Sequence, residues 1–132
     1  MQLKALLLAA AIVGLAGAAH AQSLSPMRLT GPTPSDIKAF RLTVGNPYKT
    51  RMTFLIMPMD AQFRVAIADA IVTAPEIRLA PGASRPVIVK FRIDPALKER
   101  TIGVCVLPKD LEGPVLPRVC GTYTGRIGRS GG

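Results

Sequence analysis

Turn-forming residues interrupt this chain about every ten positions, and that spacing limits it to short elements. Thr30-Gly31-Pro32-Thr33-Pro34-Ser35-Asp36, Gly45-Asn46-Pro47, Pro58, Ala80-Pro81-Gly82-Ala83 and the stretch from Pro108 to Pro117 divide the sequence. Proline lacks a backbone donor and glycine relaxes φ, so neither sustains a long helix. Between the breaks, apolar and polar residues alternate at period two, and no segment carries a convincing helical stripe. The pattern predicts an all-β domain: a single immunoglobulin-like β-sandwich of about seven antiparallel strands.

Ser23 to Leu29 reads as a first edge strand, because Pro26 would break the ladder of a central one. Lys38 to Val44 places Phe40, Leu42 and Val44 on one face. Arg51 to Met57 is more continuously apolar, as in a strand covered on both sides, and Pro58 is expected to stop it. Gln62 to Val72 mixes alanine with β-branched residues and is assigned to strand only from the fold class. In Ala80-Pro81-Gly82-Ala83 proline presets the second turn position and glycine supplies a positive φ at the third, the signature of a type II turn. Arg85 to Ile93 alternates most cleanly, with Val87, Val89, Phe91 and Ile93 facing one way. Thr101 to Leu107 and Arg118 to Ile127 form a last antiparallel pair.

The N-terminus predicts export. Lys4 precedes an apolar, small-residue run from Ala5 to Ala19, and Ala19-His20-Ala21 supplies an A-x-A cleavage site. The run is about 15 residues long, short of the roughly 20 that a spanning helix needs. Residues 1–21 are therefore read as a cleaved signal peptide, residues 22–127 as one immunoglobulin-like domain, and residues 128–132 as a flexible tail. Removing 21 of the 132 residues leaves 111, the size of one domain. The expected location is the periplasm, with the cell surface beyond it as the other possibility.

Cleavage also removes the only histidine, His20, and lowers Lys+Arg from 17 to 16 against 8 acidic residues, for a formal charge of +8. The positive charges are scattered, and an exported domain rarely meets nucleic acid, so acidic protein partners, chain-end carboxylates or anionic envelope surfaces are expected instead. Cys105 and Cys120 would then sit in an oxidising compartment, outside any C-x-x-C spacing and without a histidine to activate a thiolate. They are expected to form a disulfide across the last strand pair, where opposed Cα atoms approach within bonding reach.

Without histidine the domain has no Ser-His-Asp or Cys-His machinery and no His-containing zinc site. Asp36, Asp60, Asp69, Glu76, Asp94, Glu99, Asp110 and Glu112 show no paired-carboxylate spacing. No enzymatic activity, cofactor or metal is expected. Met52, Met57 and Met59 could offer thioethers to copper, but their apolar setting beside Phe54 and Ile56 favours core filling.

Three segments carry a family resemblance: S-P-M-R-L on the first strand, R-L-T-V-G-N-P ending the second, and P-E-I-R-L-A-P-G-A-S-R-P-V before the clearest strand. Together, across most of Leu24 to Ile127, they resemble the N-terminal domain of the PapD-like periplasmic chaperones of the chaperone-usher pilus pathway. The resemblance implies a module that binds a pilus, fimbrial or other surface-structure subunit by edge-strand pairing, with an usher or a partner chaperone chain as further contacts. It implies that Arg28, in the place of the family's first-strand basic residue, anchors the subunit's terminal carboxylate; the other reading of Arg28 is a solvated surface charge. Along the last strand Val119, Gly121 and Tyr123 take the place of the alternating donor residues. Arg118 and Arg126 stand where a lysine is usual. Family chaperones have two such domains and this chain is read as one. A structural or adhesive component of a secreted surface assembly is the alternative function.

Overall fold

A computed structural model describes residues 23–111 and 117–128. The signal-peptide reading and residues 129–132 of the tail lie outside them. Among these described residues nine strands form two sheets: β1 (Ser23–Ser25), β2 (Arg28–Thr33), β3 (Ile37–Gly45), β4 (Met52–Met59), β5 (Ala70–Val72), β6 (Glu76–Leu79), β7 (Ser84–Arg92), β8 (Glu99–Pro108) and β9 (Val119–Ile127). The order is β1-β3-β7-β5 in one sheet and β2-β9-β8-β4-β6 in the other. The architecture is the expected immunoglobulin-like sandwich.

Alternation determines which side chains enter the core. Phe40, Leu42 and Val44 of β3 and Val87, Val89 and Phe91 of β7 face Phe54 and Ile56 of β4, Ile102, Val104 and Val106 of β8, and Tyr123 of β9. Each large side chain buried there contributes roughly 1.5–3 kcal/mol. Met52 joins this core, whereas Met57 and Met59 point to the opposite face of β4, out of the main cluster.

The structure departs from the sequence reading at the N-terminal edge. The expected first strand is two strands in different sheets, β1 antiparallel to β3 and β2 parallel to β9, with Pro26 at the crossing. Among the described residues the count is thus nine, and one pairing is parallel. Thr30 to Thr33, read as turn, belongs to β2, and Pro32 is tolerated for a geometric reason. The Met27 and Thr33 carbonyls accept from Thr122 and Gly128 of the β9 side, so the intervening even residues turn their backbone outward and Pro32 removes only a solvent-side donor.

Pro58 does not stop β4, which continues to Met59 opposite Gly103. Gln62 to Val72 contributes only the short β5 and an isolated bridge between Met59 and Ala66. The Asp60 carboxylate accepts from the Arg64 amide (2.7 Å) and the Val65 amide (3.3 Å), and Phe63 adopts φ 59°. That local capping folds the segment back as a loop instead of a strand. The expected type II turn is present: Gly82 has φ 73° and the Ala83 amide donates to the Ala80 carbonyl at 3.0 Å.

Candidate functional site

The two ends of β9 have different neighbours. From Thr122 to Ile127 it lies between β8 and β2, in register with Arg28 to Thr33. From Val119 to Gly121 it pairs with β8 alone, and among the described residues no strand covers its other side. The change falls at Met27, whose carbonyl accepts the Thr122 amide at 2.9 Å.

Cys105 and Cys120 form the expected disulfide and stand directly opposite each other in the β8–β9 register. Their Cα atoms are 4.1 Å apart, the close approach of a non-hydrogen-bonded antiparallel pair. In such a pair the backbone groups point away from the partner strand. The N–H and C=O of Cys120 therefore project into the uncovered edge, and alternation sends the Arg118 backbone the same way. An open donor and acceptor in this arrangement is a template for one more strand.

Side chains divide by face. Tyr123 is fully buried, its ring 6.0 Å from that of Phe40 and its hydroxyl donating to the Pro26 carbonyl at 2.7 Å. Burial pushes the hydroxyl pKa up to about 12, so it remains a donor at any ordinary pH. Gly121 is buried and Val119 packs against the core. The face of Val119, Gly121 and Tyr123 thus looks into the domain's own interior, which corrects the expectation that the three alternate into a partner's groove. The opposite face carries Cys120, Thr122, Thr124 and Arg126.

Arg28 is exposed and lies opposite Thr122 at the first position of the β2–β9 ladder, on this outer face. The same row continues through Gly103 of β8 to Met59 of β4. Phe63 covers Gly103, where an added Cβ would come within 2.5 Å of the ring and 2.7 Å of the Asp60 carbonyl. Beyond that row, toward the open end, lie the disulfide, Met57, Leu55 and Leu107. In the other direction the face is polar, with Thr101 and Thr124 hydroxyls 2.7 Å apart and Arg126 bridged to Glu99 at 2.9 Å. Arg28 marks the border between the apolar and polar halves. Arg118 is exposed at the start of the open stretch. The structure thus brings Arg28 and Arg118 near the open edge and leaves Arg126 five residues beyond it, paired to Glu99.

The sequence reading missed the outward backbone of Cys120 and the rows of Phe63 and Met59. All depend on which strand lies beside β9, and no local signal carried that. A separate cavity of about 490 Å³ lies at the Glu99 end of β8, lined by Asp69, Arg92, Asp94, Leu97 and Arg100 among others. Its charges largely satisfy one another: Arg100 makes two bonds to Asp69, and Arg92 pairs with Asp36. Among the described residues no group of three or more acidic, cysteine or histidine side chains could hold a metal, and no helix is long and apolar enough to cross a membrane.

This framework is shared with solved proteins. The chain superposes on the E. coli chaperone DraB with a TM-score of 0.62 at 19% identity, covering 81% of this chain and 55% of that one. The chain has the PapD-like fold. The Salmonella enterica structure of the SafA pilin in complex with the SafB chaperone gives a PapD-like match of TM-score 0.65 at 17% identity, over 85% of this chain and 57% of the other. Our chain thus spans little more than half the length of these matched chains. A PapD-like domain of human CEP192 matches at TM-score 0.59 and 14% identity, over 83% and 86% of the two chains. No family model matches the chain, and neither does the sequence of any curated protein.

Proposed function

We propose that this chain is an exported, non-enzymatic, periplasmic chaperone-type module that captures a pilus, fimbrial or other surface-structure subunit by adding a subunit strand to the open end of β9. The observation that carries the reading is the uncovered stretch ending at Thr122, with the Cys120 backbone facing outward and Arg28 beside the stretch's inner end. A strand laid there gains backbone hydrogen bonds, the main source of affinity in strand addition. Its terminal carboxylate would meet the Arg28 guanidinium, which can bind both oxygens at once, with the Thr122 hydroxyl adjacent. The neighbours support the reading, since they include a chaperone–pilin complex and a chaperone–tip adhesion subunit complex.

The test is capture of subunits from periplasm by the purified domain, followed by affinity measurement with the subunit recovered. Arg118→Pro removes an outward donor without touching the β8 ladder and should abolish capture. Arg118→Ala keeps that donor and should weaken it far less. Arg28→Ala should weaken capture with an unchanged melting temperature, because the ligand's carboxylate is absent from the free protein. A folded Arg118→Pro variant that binds as well as wild type would refute this edge as the capture surface. Recovery of the chain in sheared surface fibres would favour the structural or adhesive alternative.

A further inference from the structure

Tyr123 lies one residue past the first β2–β9 register pair, and its only polar atom reaches out of the core to the backbone of the chain crossing. The Pro26 carbonyl that it holds belongs to the link that carries the chain from β1 in one sheet to β2 in the other. The next carbonyl along, that of Met27, accepts the Thr122 amide and closes the first rung between β2 and β9. Gly121 completes the arrangement. A Cβ there would collide with the Tyr123 hydroxyl and come within 2.8 Å of the Met27 carbonyl. Only a residue without a side chain lets the crossing pass this close to β9.

We propose that Tyr123 is a positioning residue, whose bond to the Pro26 carbonyl fixes the point on β9 where self-pairing with β2 ends and the open edge begins. It makes no contact with a partner strand. It holds the crossing down, so that Met27 closes the ladder at Thr122, Arg28 stays beside that boundary, and the open stretch keeps its length. Without the bond, the first rungs of β2 are weakly held, because among the described residues β2 is an edge strand with no partner on its far side. The link to partner capture rests on the function proposed above; the positioning itself does not.

Amide hydrogen exchange on the oxidised domain, with no partner present, reads the boundary directly. Tyr123→Phe keeps the ring in the core against Phe40 and removes only the donor. The expected result is exchange of the Thr122 and Thr124 amides faster by about tenfold, as for the loss of one hydrogen bond, with amides of the β4–β8 ladder unchanged. Gly121→Ala should open the same rungs from the other side. The double variant should be less perturbed than the sum of the two, since phenylalanine removes the oxygen with which the new methyl collides. Wild-type exchange at Thr122 in Tyr123→Phe would overturn the proposal. So would a uniform acceleration across both sheets, which would make Tyr123 a core residue and nothing more. Because no ligand is used, failure of subunit capture cannot be mistaken for failure of the boundary.

Discussion

Asn46 shows how much one polar side chain can carry in a small sandwich. It is almost wholly buried; its amide donates to the carbonyls of Thr50 and Leu79, both at 2.9 Å, and its oxygen accepts the Tyr48 amide at 2.9 Å. It therefore ties the β3–β4 turn to the end of β6. Asn46→Ala strands buried carbonyls and an amide together, so a loss of about 2–3 kcal/mol is expected, read as a lower urea midpoint at unchanged slope. Tyr123 adds a pH dependence of definite sign. Its hydroxyl titrates near 12 in the folded protein and near 10 when unfolded, so the folded state holds a proton that the unfolded chain releases. This contribution is complete below pH 10 and is lost as pH rises from 10 to 12. Tyr123→Phe should show a shallower fall of stability across that window in equilibrium unfolding.

Strands that bury one face in regular alternation were legible from the residues alone. Val87, Val89 and Phe91 of β7, and Phe40, Leu42 and Val44 of β3, sit as their spacing predicts, because a one-residue slip would expose the whole set. The Cys105–Cys120 bond was legible from the export reading and the last strand pair, and the PapD-like architecture from the resemblance of three segments. The split of β1 from β2 was not. Pro26 and Pro32 signal an edge, but the choice of β9 as neighbour is a long-range pairing that leaves no period in Arg28 to Thr33. Nor does the sequence announce the loop around Phe63, whose positive φ is imposed by the Asp60 carboxylate. For the candidate site, residues 119, 121 and 123 alternate as read, but alternation does not say whether the apolar face meets its own core or a partner's; the structure turns it to its own core and leaves Arg28 exposed beside the open edge. The β8–β9 disulfide encloses a loop of sequence separation 15. Cys105→Ala with Cys120→Ala should cost about 3 kcal/mol of stability, and thiol titration of the denatured, unreduced protein should detect no free thiol.

At the scale of the whole molecule, charge sets how a partner of the proposed kind would arrive. The full chain carries +9, while among the described residues four ion pairs engage Asp36, Asp69, Glu76 and Glu99. The remaining positive field would attract an acidic partner of the proposed kind over distances that salt screens. Stopped-flow association with such a subunit should slow several-fold between low and physiological ionic strength, with dissociation changing far less; equal salt dependence of both rates would contradict steering.

The parallel pairing of β2 with β9 also has a temporal meaning. A chain made from its N-terminus produces β2 well before its neighbour, with six strands between them. Until β9 is complete, β2 has no ladder to join and the β8 flank lies bare, so the five-stranded sheet can close only once β9 has been made. The rungs beside the open edge are thus also the last of that sheet to form.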